Sequence, residues 1–194
     1  MRPRVGVVAD DITGAGDIGG LLALHGWAVR VLGAGVAPDD VPARLVGARA
    51  DAVVLDTDSR FDPTDRAADK VRRATAALRV WGADLFYKKT CSVFRGNVGA
   101  EIDAMLDELG EPFTVAVAAF PRNGRQTLGG VHLVHGRPLA ESELARDPVH
   151  PRTESNLIVD LQPQTARRVV SVALEDVRGD LAARLAALRA AGAG

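Results

Sequence analysis

The sequence is poor in cysteine, in aromatic residues and in excess charge of either sign, and each shortage excludes a class of protein. Its 194 residues include a single cysteine, Cys91, so no disulfide can form within the chain. The 24 lysine and arginine residues nearly balance 25 aspartate and glutamate residues, so the net charge is -1 and there is no basic excess for binding nucleic acid or an anionic membrane. No apolar run approaches the roughly 18 residues of a membrane span, and no signal peptide is recognisable, so we expect a cytoplasmic protein.

Only 4% of the residues are aromatic, whereas 47% are hydrophobic. The core must therefore consist mainly of alanine, valine and leucine. A chain of this length can bury enough of them to fold as one domain. We expect that domain to span residues 1–194.

Short apolar runs of strand length alternate with amphipathic stretches of helix length over the first 120 residues. This alternation is typical of a parallel sheet flanked by helices. Five strands are predicted, at residues 4–9, 27–32, 51–55, 85–88 and 114–118. Helices are predicted at 16–25, 39–45, 63–81 and 98–109. The predicted fold class is α/β, with an open and mainly parallel sheet.

Beyond Pro121 the pattern changes. Residues 129–134, a His135-Gly136 turn and residues 137–139 predict a β-hairpin or flap after the fifth strand. A short helix at 156–164, a last strand at 168–172 and a terminal helix at 176–191 are expected to follow.

Polar residues follow four of the predicted strands. Ligands of open parallel sheets bind outside the carboxyl ends of the strands, so these residues should gather at one edge. The residues are Asp10 and Asp11 after the first strand, Asp58, Ser59 and Arg60 after the third, Lys88 and Lys89 after the fourth, and Arg122 and Arg125 after the fifth.

The composition of this edge suits an anionic substrate that carries hydroxyls. A guanidinium pairs bidentately with a carboxylate. An aspartate within reach of a hydroxyl can act as general base, which phosphoryl transfer to an alcohol requires. The candidates for a carboxylate are Arg60, Arg95, Lys88 and Lys89, and those for hydroxyls are Asp10, Asp11 and Asn97.

Residues 14–19 match G-x-G-x-x-G between a predicted strand and a helix, which is the fingerprint of dinucleotide binding. Residues 10–13 separate these glycines from the strand, however, and would place two carboxylates beside a pyrophosphate. The acidic residue expected about 20 positions later is also missing. A dinucleotide-binding fragment remains an alternative, and close packing of a helix on the sheet is the other explanation of the glycines. No G-x-x-x-x-G-K-[S/T] motif occurs.

The histidines and Cys91 lack the spacing of a zinc site, so no metal site is expected. His132 and His135 fall in the predicted hairpin, where we expect both on the surface. Cys91 is expected to pack as a small, unreactive side chain.

Several short motifs follow one another in order over roughly residues 4–162. Ala-Asp-Asp-Ile-Thr-Gly-Ala stands at 9–15, Asp-Thr-Asp-Ser-Arg at 56–60 and Tyr-Lys-Lys-Thr-Cys-Ser-Val-Phe-Arg-Gly-Asn at 87–97. Ala-Phe-Pro at 119–121, Gly-Arg-Gln-Thr at 124–127, Gly-Val-His at 130–132, Pro-Leu-Ala-Glu-Ser-Glu at 138–143 and Asp-Pro-Val-His-Pro at 147–151 complete the series. Together these motifs resemble the N-terminal domain of four-carbon acid sugar kinases.

The resemblance implies an ATP-dependent kinase that acts on threonate, erythronate or 3-oxotetronate-like acids, with the acid bound by the N-terminal domain. Asp10 and Asp11 are then the expected catalytic residues. The expected substrate-binding residues are Asp10, Asp11, Asp58, Ser59, Arg60, Lys88, Lys89, Ser92, Arg95, Gly96, Asn97 and Arg125.

The sequence departs from the family in one loop. The usual sequence of this loop in the family is Lys-x-Asp-Ser-Thr-Leu-Arg-Gly-Asn. In this chain Cys91 replaces the aspartate and Val93-Phe94 replaces Thr-Leu. A lost carboxylate would remove a hydroxyl contact or a base, or change the substrate accepted. A non-catalytic module that binds an acid metabolite is therefore an alternative function.

The resemblance also implies that ATP and Mg²⁺ bind mainly to a separate C-terminal domain, which the family carries after the part that resembles this chain. We predict no cofactor for this chain alone, and we expect phosphorylation to need that domain in trans. An apolar surface left without its second domain would favour self-association, so a homo-oligomer is a further alternative.

Overall fold

The computed structural model describes residues 2–192, which divide into two compact units. The first unit comprises the residues up to Cys91 together with Ala100–Gly110. The second comprises Ser92–Gly99 and the residues from Glu111 onward. Within the described range, no helix is both long and apolar enough to cross a lipid bilayer.

A four-stranded parallel sheet forms the centre of the first unit. Its strands are β1 (Val5–Ala9), β2 (Val29–Leu32), β3 (Ala52–Asp56) and β4 (Leu85–Lys89). They lie in the order β2-β3-β1-β4, and every pair is parallel. All five residues of β3 are buried, as expected of a strand whose two faces are both covered. The predicted class, a parallel sheet flanked by helices, is confirmed.

Helices alternate with these strands. They are α1 (Ile12–Leu24), α2 (Val41–Arg44), α3 (Thr64–Trp81) and α4 (Val98–Leu109), of which the part from residue 100 belongs to this unit. Alternate residues of β1 enter different cores: Val8 packs in a cluster with Leu78 and Met105, and Val7 packs in a second cluster with Ala15. The period of two along the strand thus separates the two faces of the sheet.

The second unit contains a three-stranded antiparallel sheet made of β5 (Arg125–Leu128), β6 (Val131–Val134) and β7 (Arg137–Pro138). Gly129 and Gly130, with φ of 56° and 86°, form the turn between β5 and β6. Both central residues of a type I′ hairpin turn need positive φ, which glycine adopts without strain. The predicted hairpin is confirmed, and β5 adds a strand that the pattern did not predict.

Three further helices follow in the second unit: α5 (Leu157–Leu161), α6 (Leu174–Arg178) and α7 (Leu181–Ala190). The prediction of one terminal helix over 176–191 is therefore wrong. The break falls at Gly179, and the Asp180 side chain caps α7 by accepting a hydrogen bond from the Ala183 amide at 2.9 Å. A glycine followed by an N-capping aspartate is a stop and start signal that overrides the continuous Ala/Leu/Arg pattern.

Two predicted strands do not form. Residues 114–118, the predicted fifth strand, have neither helical nor strand structure, and Val115 and Val117 are 53% and 72% exposed. Residues 168–172 likewise contain no strand beyond a single bridge residue at Arg168. Alternating β-branched residues indicate a strand only where a neighbour supplies the hydrogen bonds of a ladder, and within residues 2–192 neither segment has such a ladder.

Candidate substrate site

Three loops meet at the carboxyl edge of the first unit's sheet because the strands end in register. Ala9 of β1 is level with Asp56 of β3 and with Lys89 of β4. Beyond the strand ends, the Asp10 amide donates to the Lys89 carbonyl at 3.2 Å, and the Arg60 amide donates to the Asp10 carbonyl at 3.2 Å. The predicted convergence of the loops after the first, third and fourth strands is confirmed.

Arg60 contacts both carboxylates that follow β1. Its Nε and Nη2 donate to the two oxygens of Asp10 at 2.9 and 3.0 Å, and its Nη1 donates to Asp11 Oδ2 at 2.6 Å. Arg60 is 8% exposed and Asp10 is 1% exposed. This two-pronged pairing is the geometry in which a guanidinium binds a carboxylate most strongly.

The pairing keeps Arg60 charged. Burial alone would lower the pKa of Arg60, but the hydrogen bond and the charge of Asp10 raise that pKa above its ordinary value, with a smaller contribution from the charge of Asp11. All three guanidinium nitrogens already donate to Asp10 or Asp11. The fork of Arg60 is therefore engaged within the protein rather than open to a substrate carboxylate.

Asp11 performs a second task at the same edge. Its Oδ1 accepts a hydrogen bond from the Gly14 amide at 2.8 Å, which caps the first turn of α1. Its side chain is 22% exposed, in contrast to the buried Asp10. Each of its oxygens has a lone pair to spare, so Asp11 is the carboxylate of the pair that a ligand hydroxyl can reach.

The two adjacent lysines occupy different environments. Lys88 Nζ lies 2.7 Å from Glu101 Oε2, and only 6% of its side chain is exposed. Lys89 is half-buried, its Nζ donates to the Thr90 carbonyl at 3.0 Å, and a Cβ placed on Gly14 would lie 3.1 Å from that Nζ. The charge of Lys88 is thus balanced by Glu101 inside the protein, whereas Lys89 lies beside the start of α1.

Glu101 is a site residue that the sequence patterns did not predict. It is 1% exposed and lies on α4 three residues after Val98 and four before Met105, which are both buried. It therefore occupies the apolar stripe of an amphipathic helix. A buried carboxylate needs a cation or donor beside it, so an acidic residue in that stripe was the available signal.

Glu101 also binds the turn that carries Arg60. Ser59 Oγ donates to Glu101 Oε1 at 2.5 Å, and Thr57 Oγ1 lies 2.8 Å from Ser59 Oγ. Asp58, between these hydroxyl residues, has φ of 45° in the left-handed region, and its amide donates to Asp56 Oδ1 at 2.9 Å.

Asp56, the last residue of β3, has a raised pKa. Burial raises the pKa of Asp56 above its ordinary value, and the charges of Asp58 and Asp11 act in the same direction. Amide hydrogen bonds from Asp58 and Ala34 oppose this increase without cancelling it.

The other residues expected at the site belong to the second unit. Arg95 Nη1 lies 2.6 Å from Asp147 Oδ2, while Asp147 Oδ1 accepts from the amides of His150 at 2.8 Å and Val149 at 3.0 Å. These amides, with a smaller effect of Arg95, lower the pKa of Asp147 to about 2. The residues placed in this unit are Ser92, Arg95, Gly96, Asn97 and Arg125.

The loop that contains Arg95 has an unusual backbone. Phe94 is 4% exposed and has φ of 54°, and Gly96 has φ of 91°. A bulky residue at positive φ is strained, and such strain is typical of segments that the fold holds in place for a function. Arg125, which lies on β5, contacts His135 Nε2 through Nη1 at 3.3 Å.

The prediction that His132 lies on the surface is wrong. His132 is 0% exposed, and its Nδ1 lies 3.0 Å from Thr127 Oγ1 on the facing strand. Burial lowers the pKa of His132, and the charges of Arg125 and Arg152 lower it further, whereas the Ser92 backbone opposes them. The alternation along β6 points His132 inward with Val134, while His135 in the turn is exposed as predicted.

Of the three glycines in residues 14–19, Gly14 and Gly19 have close neighbours, whereas a Cβ on Gly16 would meet nothing within 4 Å. A Cβ on Gly19 would lie 2.8 Å from Val31 Cγ2, so α1 approaches β2 more closely than any other residue would allow. A Cβ on Gly14 would lie 2.7 Å from Asp11 Oδ1 and would displace the cap of α1. Among the described residues, no group of three or more His, Cys, Asp or Glu side chains gathers to hold a metal ion.

Two curated relatives are similar to nearly the whole chain. D-threonate kinase of Salmonella typhimurium is 42% identical over 193 residues, which are 97% of this chain and 43% of the relative. 3-Oxo-tetronate kinase of Haemophilus influenzae is 36% identical over 177 residues, which are 89% of this chain and 41% of the relative. This chain therefore spans less than half the length of either relative.

Solved structures share the fold. A structure from Salmonella typhimurium LT2, described as a putative tRNA synthase, superposes with a TM-score of 0.90 at 31% identity, over 98% of this chain and 46% of that one. A Bordetella bronchiseptica structure, described as a domain-swapped dimer with bound citrate, superposes with a TM-score of 0.77 at 38% identity, over 95% of this chain and 45% of that one. The family described as the sugar-binding N-terminal domain matches residues 5–194. Together with the fold and the polar strand ends, this match shows that the chain belongs to the family of sugar-binding N-terminal domains.

Proposed function

We propose that this chain is the substrate-binding part of an ATP-dependent kinase that phosphorylates a hydroxyl of a four-carbon acid sugar of the threonate, erythronate or 3-oxotetronate type. The observation that carries the proposal is the cluster of Asp10, Asp11 and Arg60 beside Lys89 at the carboxyl ends of three parallel strands. The names of the relatives support the choice of substrate class.

Asp11 and Lys89 are the proposed ligand-binding groups of the first unit. Asp11 is partly exposed and accepts a substrate hydroxyl, and Lys89 supplies the positive charge for the substrate carboxylate. A carboxylate that accepts a hydroxyl proton also orients that oxygen for phosphoryl transfer, which is the catalytic role proposed for Asp11. The citrate in the Bordetella relative supports an anionic, hydroxylated ligand.

Asp10 and Arg60 are proposed to position Asp11 rather than to bind substrate through the guanidinium fork. Asp10 is buried and bound bidentately, and Arg60 reaches Asp11 with its remaining nitrogen. A carboxylate held in this way keeps its orientation before the substrate arrives, and such preorganisation lowers the barrier of the reaction.

The residues of the second unit that match two family motifs, the loop at 87–97 and Gly-Arg-Gln-Thr at 124–127, are also proposed as substrate contacts. They are Ser92, Arg95, Gly96, Asn97 and Arg125. Arg95 is held in place by its ion pair with Asp147, whose Oδ2 lies 2.6 Å from Arg95 Nη1.

ATP with Mg²⁺ would supply the phosphoryl group. The described residues gather no metal-ligating cluster, and the sequence has no phosphate-binding G-x-x-x-x-G-K-[S/T] loop. In line with the family resemblance, we propose that both bind to a C-terminal nucleotide-binding domain, present in trans or in a longer chain. A cytoplasmic location follows from the use of ATP.

Calorimetric titration of this chain with threonate, erythronate and 3-oxotetronate tests the proposal. We expect wild type to bind at least one of these acids, and Asp11→Asn and Lys89→Gln to weaken that binding about tenfold or more, as expected for contacts to charged groups. Asp17→Asn is the matched control, because Asp17 is exposed on α1. Equal affinities in all four proteins, or no acid binding by wild type, would contradict the proposed site.

The alternative of a non-catalytic acid-binding module is favoured by one observation, the replacement of the family aspartate by Cys91. Supplying the nucleotide-binding domain of a relative in trans distinguishes the kinase from the non-catalytic module. Turnover of ATP with a bound acid supports the kinase. Acid binding with no turnover, in wild type and in Cys91→Asp alike, supports the module.

A homo-oligomer is proposed as well, because the Bordetella relative is described as a domain-swapped dimer. Sedimentation equilibrium of this chain tests it directly. A single species at the monomer mass of 20.4 kDa across the accessible concentrations would contradict it.

A further inference from the structure

A series of buried polar contacts connects α4 to the turn that carries Arg60. Lys88 Nζ lies 2.7 Å from Glu101 Oε2, and Glu101 Oε1 accepts a hydrogen bond from Ser59 Oγ at 2.5 Å. Ser59 is 0% exposed and Glu101 is 1% exposed. We propose that Glu101 is a positioning residue that fixes the Thr57–Arg60 turn through Ser59 and thereby sets the affinity of the Asp11 site for its acid ligand. The second part of this inference rests on the function proposed above.

The turn needs such an anchor because its backbone is strained. Asp58 has φ of 45°, a left-handed conformation that is uncommon outside glycine, although aspartate tolerates it better than most residues. Strained conformations persist only where the surroundings over-determine them. Here the restraints are on both sides of Asp58: Thr57 Oγ1 donates to the Ala9 carbonyl at 2.8 Å, and Ser59 Oγ donates to Glu101.

The anchor lies one residue before Arg60. The amides of Ser59 and Arg60 donate to the same Asp10 carbonyl at 3.1 and 3.2 Å, so a rotation at Ser59 changes the direction in which the Arg60 side chain leaves the backbone. The three hydrogen bonds of Arg60 to Asp10 and Asp11 all depend on that direction. Because Asp11 is the exposed member of the cluster, a shift of Arg60 reaches the ligand through Asp11.

The competing explanation is that Glu101 only neutralises Lys88. That role is real, because an unpaired buried ammonium is strongly destabilising. The two roles use different oxygens, with Oε2 facing Lys88 and Oε1 facing Ser59, and so they can be separated by substitution.

Two double variants make the separation. Lys88→Met with Glu101→Gln removes both charges and keeps a side-chain acceptor for Ser59 Oγ. Lys88→Met with Glu101→Leu removes both charges and that acceptor as well, with a side chain of similar size. Glu108→Gln, which breaks the ion pair with Arg79 at the far end of the same helix, is the control.

Two quantities are measured on each protein once circular dichroism has shown that it is folded. The first is the calorimetric affinity for the acid that wild type binds best among threonate, erythronate and 3-oxotetronate. The second is the rate of hydrogen exchange at Arg60 Nε, followed by NMR, which needs no ligand and reports the bond from Nε to Asp10.

We expect the glutamine double variant to bind the acid about tenfold more tightly than the leucine double variant, and to protect Arg60 Nε about tenfold better, as expected for loss of one hydrogen bond to the anchor. Equal affinity and equal exchange in the two would overturn the inference. If the leucine variant does not fold, Ser59→Ala removes the same bond from the other side, and wild-type affinity with wild-type exchange in that variant would overturn it as well.

The outcomes separate this inference from the proposed function. If wild type binds none of the acids, the proposed function fails, and the exchange rate at Arg60 Nε alone decides whether Glu101 positions the turn. If wild type binds an acid and both double variants behave alike, the proposed function stands and the positioning role fails.

Discussion

Arg60 Nη1 lies 2.6 Å from Asp11 Oδ2, and this contact joins the loop after β3 to the residue that caps α1. Elements 49 residues apart in sequence are thus connected by one ion pair at the edge of the sheet. The same guanidinium binds Asp10 bidentately, so the two consecutive aspartates share one cation.

Replacement of Arg60 by alanine should therefore affect both folding and binding. Asp10 would remain as an uncompensated buried carboxylate, and we expect unfolding to become easier by about 3–5 kcal/mol. Binding of a four-carbon aldonate should weaken by about 2 kcal/mol or more, because Asp11 loses its charge-assisted partner. Urea denaturation and calorimetric titration measure the two effects.

Arg66→Ala is the control for that experiment, since the Arg66 side chain is 67% exposed and its contact with Asp62 is 3.5 Å long. Exposed pairs contribute about 0–1 kcal/mol, so this variant should be nearly unchanged. Equal destabilisation by the two alanine variants would show that the Asp10–Arg60 pair is not the source of the effect.

The burial of His132 predicts a loss of stability in mild acid. Burial, together with the charges of Arg125 and Arg152, lowers the pKa of His132 below its ordinary value of 6.5. Near that pH the unfolded chain consequently binds more protons than the folded one, so stability rises with pH and falls as the pH drops below 6.5 through the folded-state pKa. Urea denaturation over about pH 5–8 measures the slope.

His132→Gln should abolish this contribution to the slope, whereas His25→Gln, at an exposed position on the first unit, should retain it. If both variants keep the wild-type pH dependence, another group is responsible.

The lowered pKa of Asp147 predicts a second loss of stability, at a more acidic pH. The amides of His150 and Val149, with Arg95, lower its pKa from the ordinary 3.8 to about 2. A carboxylate with a lowered pKa stabilises the folded state above 3.8, and that contribution is lost as the pH falls toward 2.

In Asp147→Asn this acid-dependent contribution should be absent, and the stability difference from wild type should shrink as the pH falls through that window. Glu143→Gln, also in the second unit, is the charge-matched control. A constant stability difference between wild type and Asp147→Asn across the window would contradict the role given to this carboxylate.

How far the sequence predicts this structure depends on whether a signal is local. The strands β1 and β3 and the helix α4 are apolar or periodic over their whole length, and their predicted positions agree with the structure to within a residue or two. Residues 114–118 have the same local pattern, but a strand also requires a partner, which no local pattern specifies.

The site shows the same limit. Asp10, Asp11 and Arg60 could be predicted because each lies in the loop that follows a strand, and parallel strands end at a common edge. Glu101 reaches that edge from the first turn of α4, where it pairs with Lys88, whereas Lys89 Nζ donates to the Thr90 carbonyl. Such a contact joins residues far apart in sequence, so the sequence around either residue alone does not indicate the contact.

Asp11 provides a prediction in which stability and binding separate. Its Oδ1 caps α1 through the Gly14 amide, and its Oδ2 contacts Arg60. Asp11→Ser keeps a side-chain oxygen for the cap but loses the carboxylate, whereas Asp11→Ala loses both.

We expect Asp11→Ala to be less stable than Asp11→Ser by about 1 kcal/mol, which is the usual contribution of an N-cap. Both should bind the acid ligand about tenfold or more weakly than wild type, because both lack the charged acceptor proposed to hold its hydroxyl. Thermal denaturation and calorimetry on the same samples distinguish the two roles. Wild-type affinity in Asp11→Ser, at whatever stability, would mean that the carboxylate of Asp11 serves the helix and not the ligand.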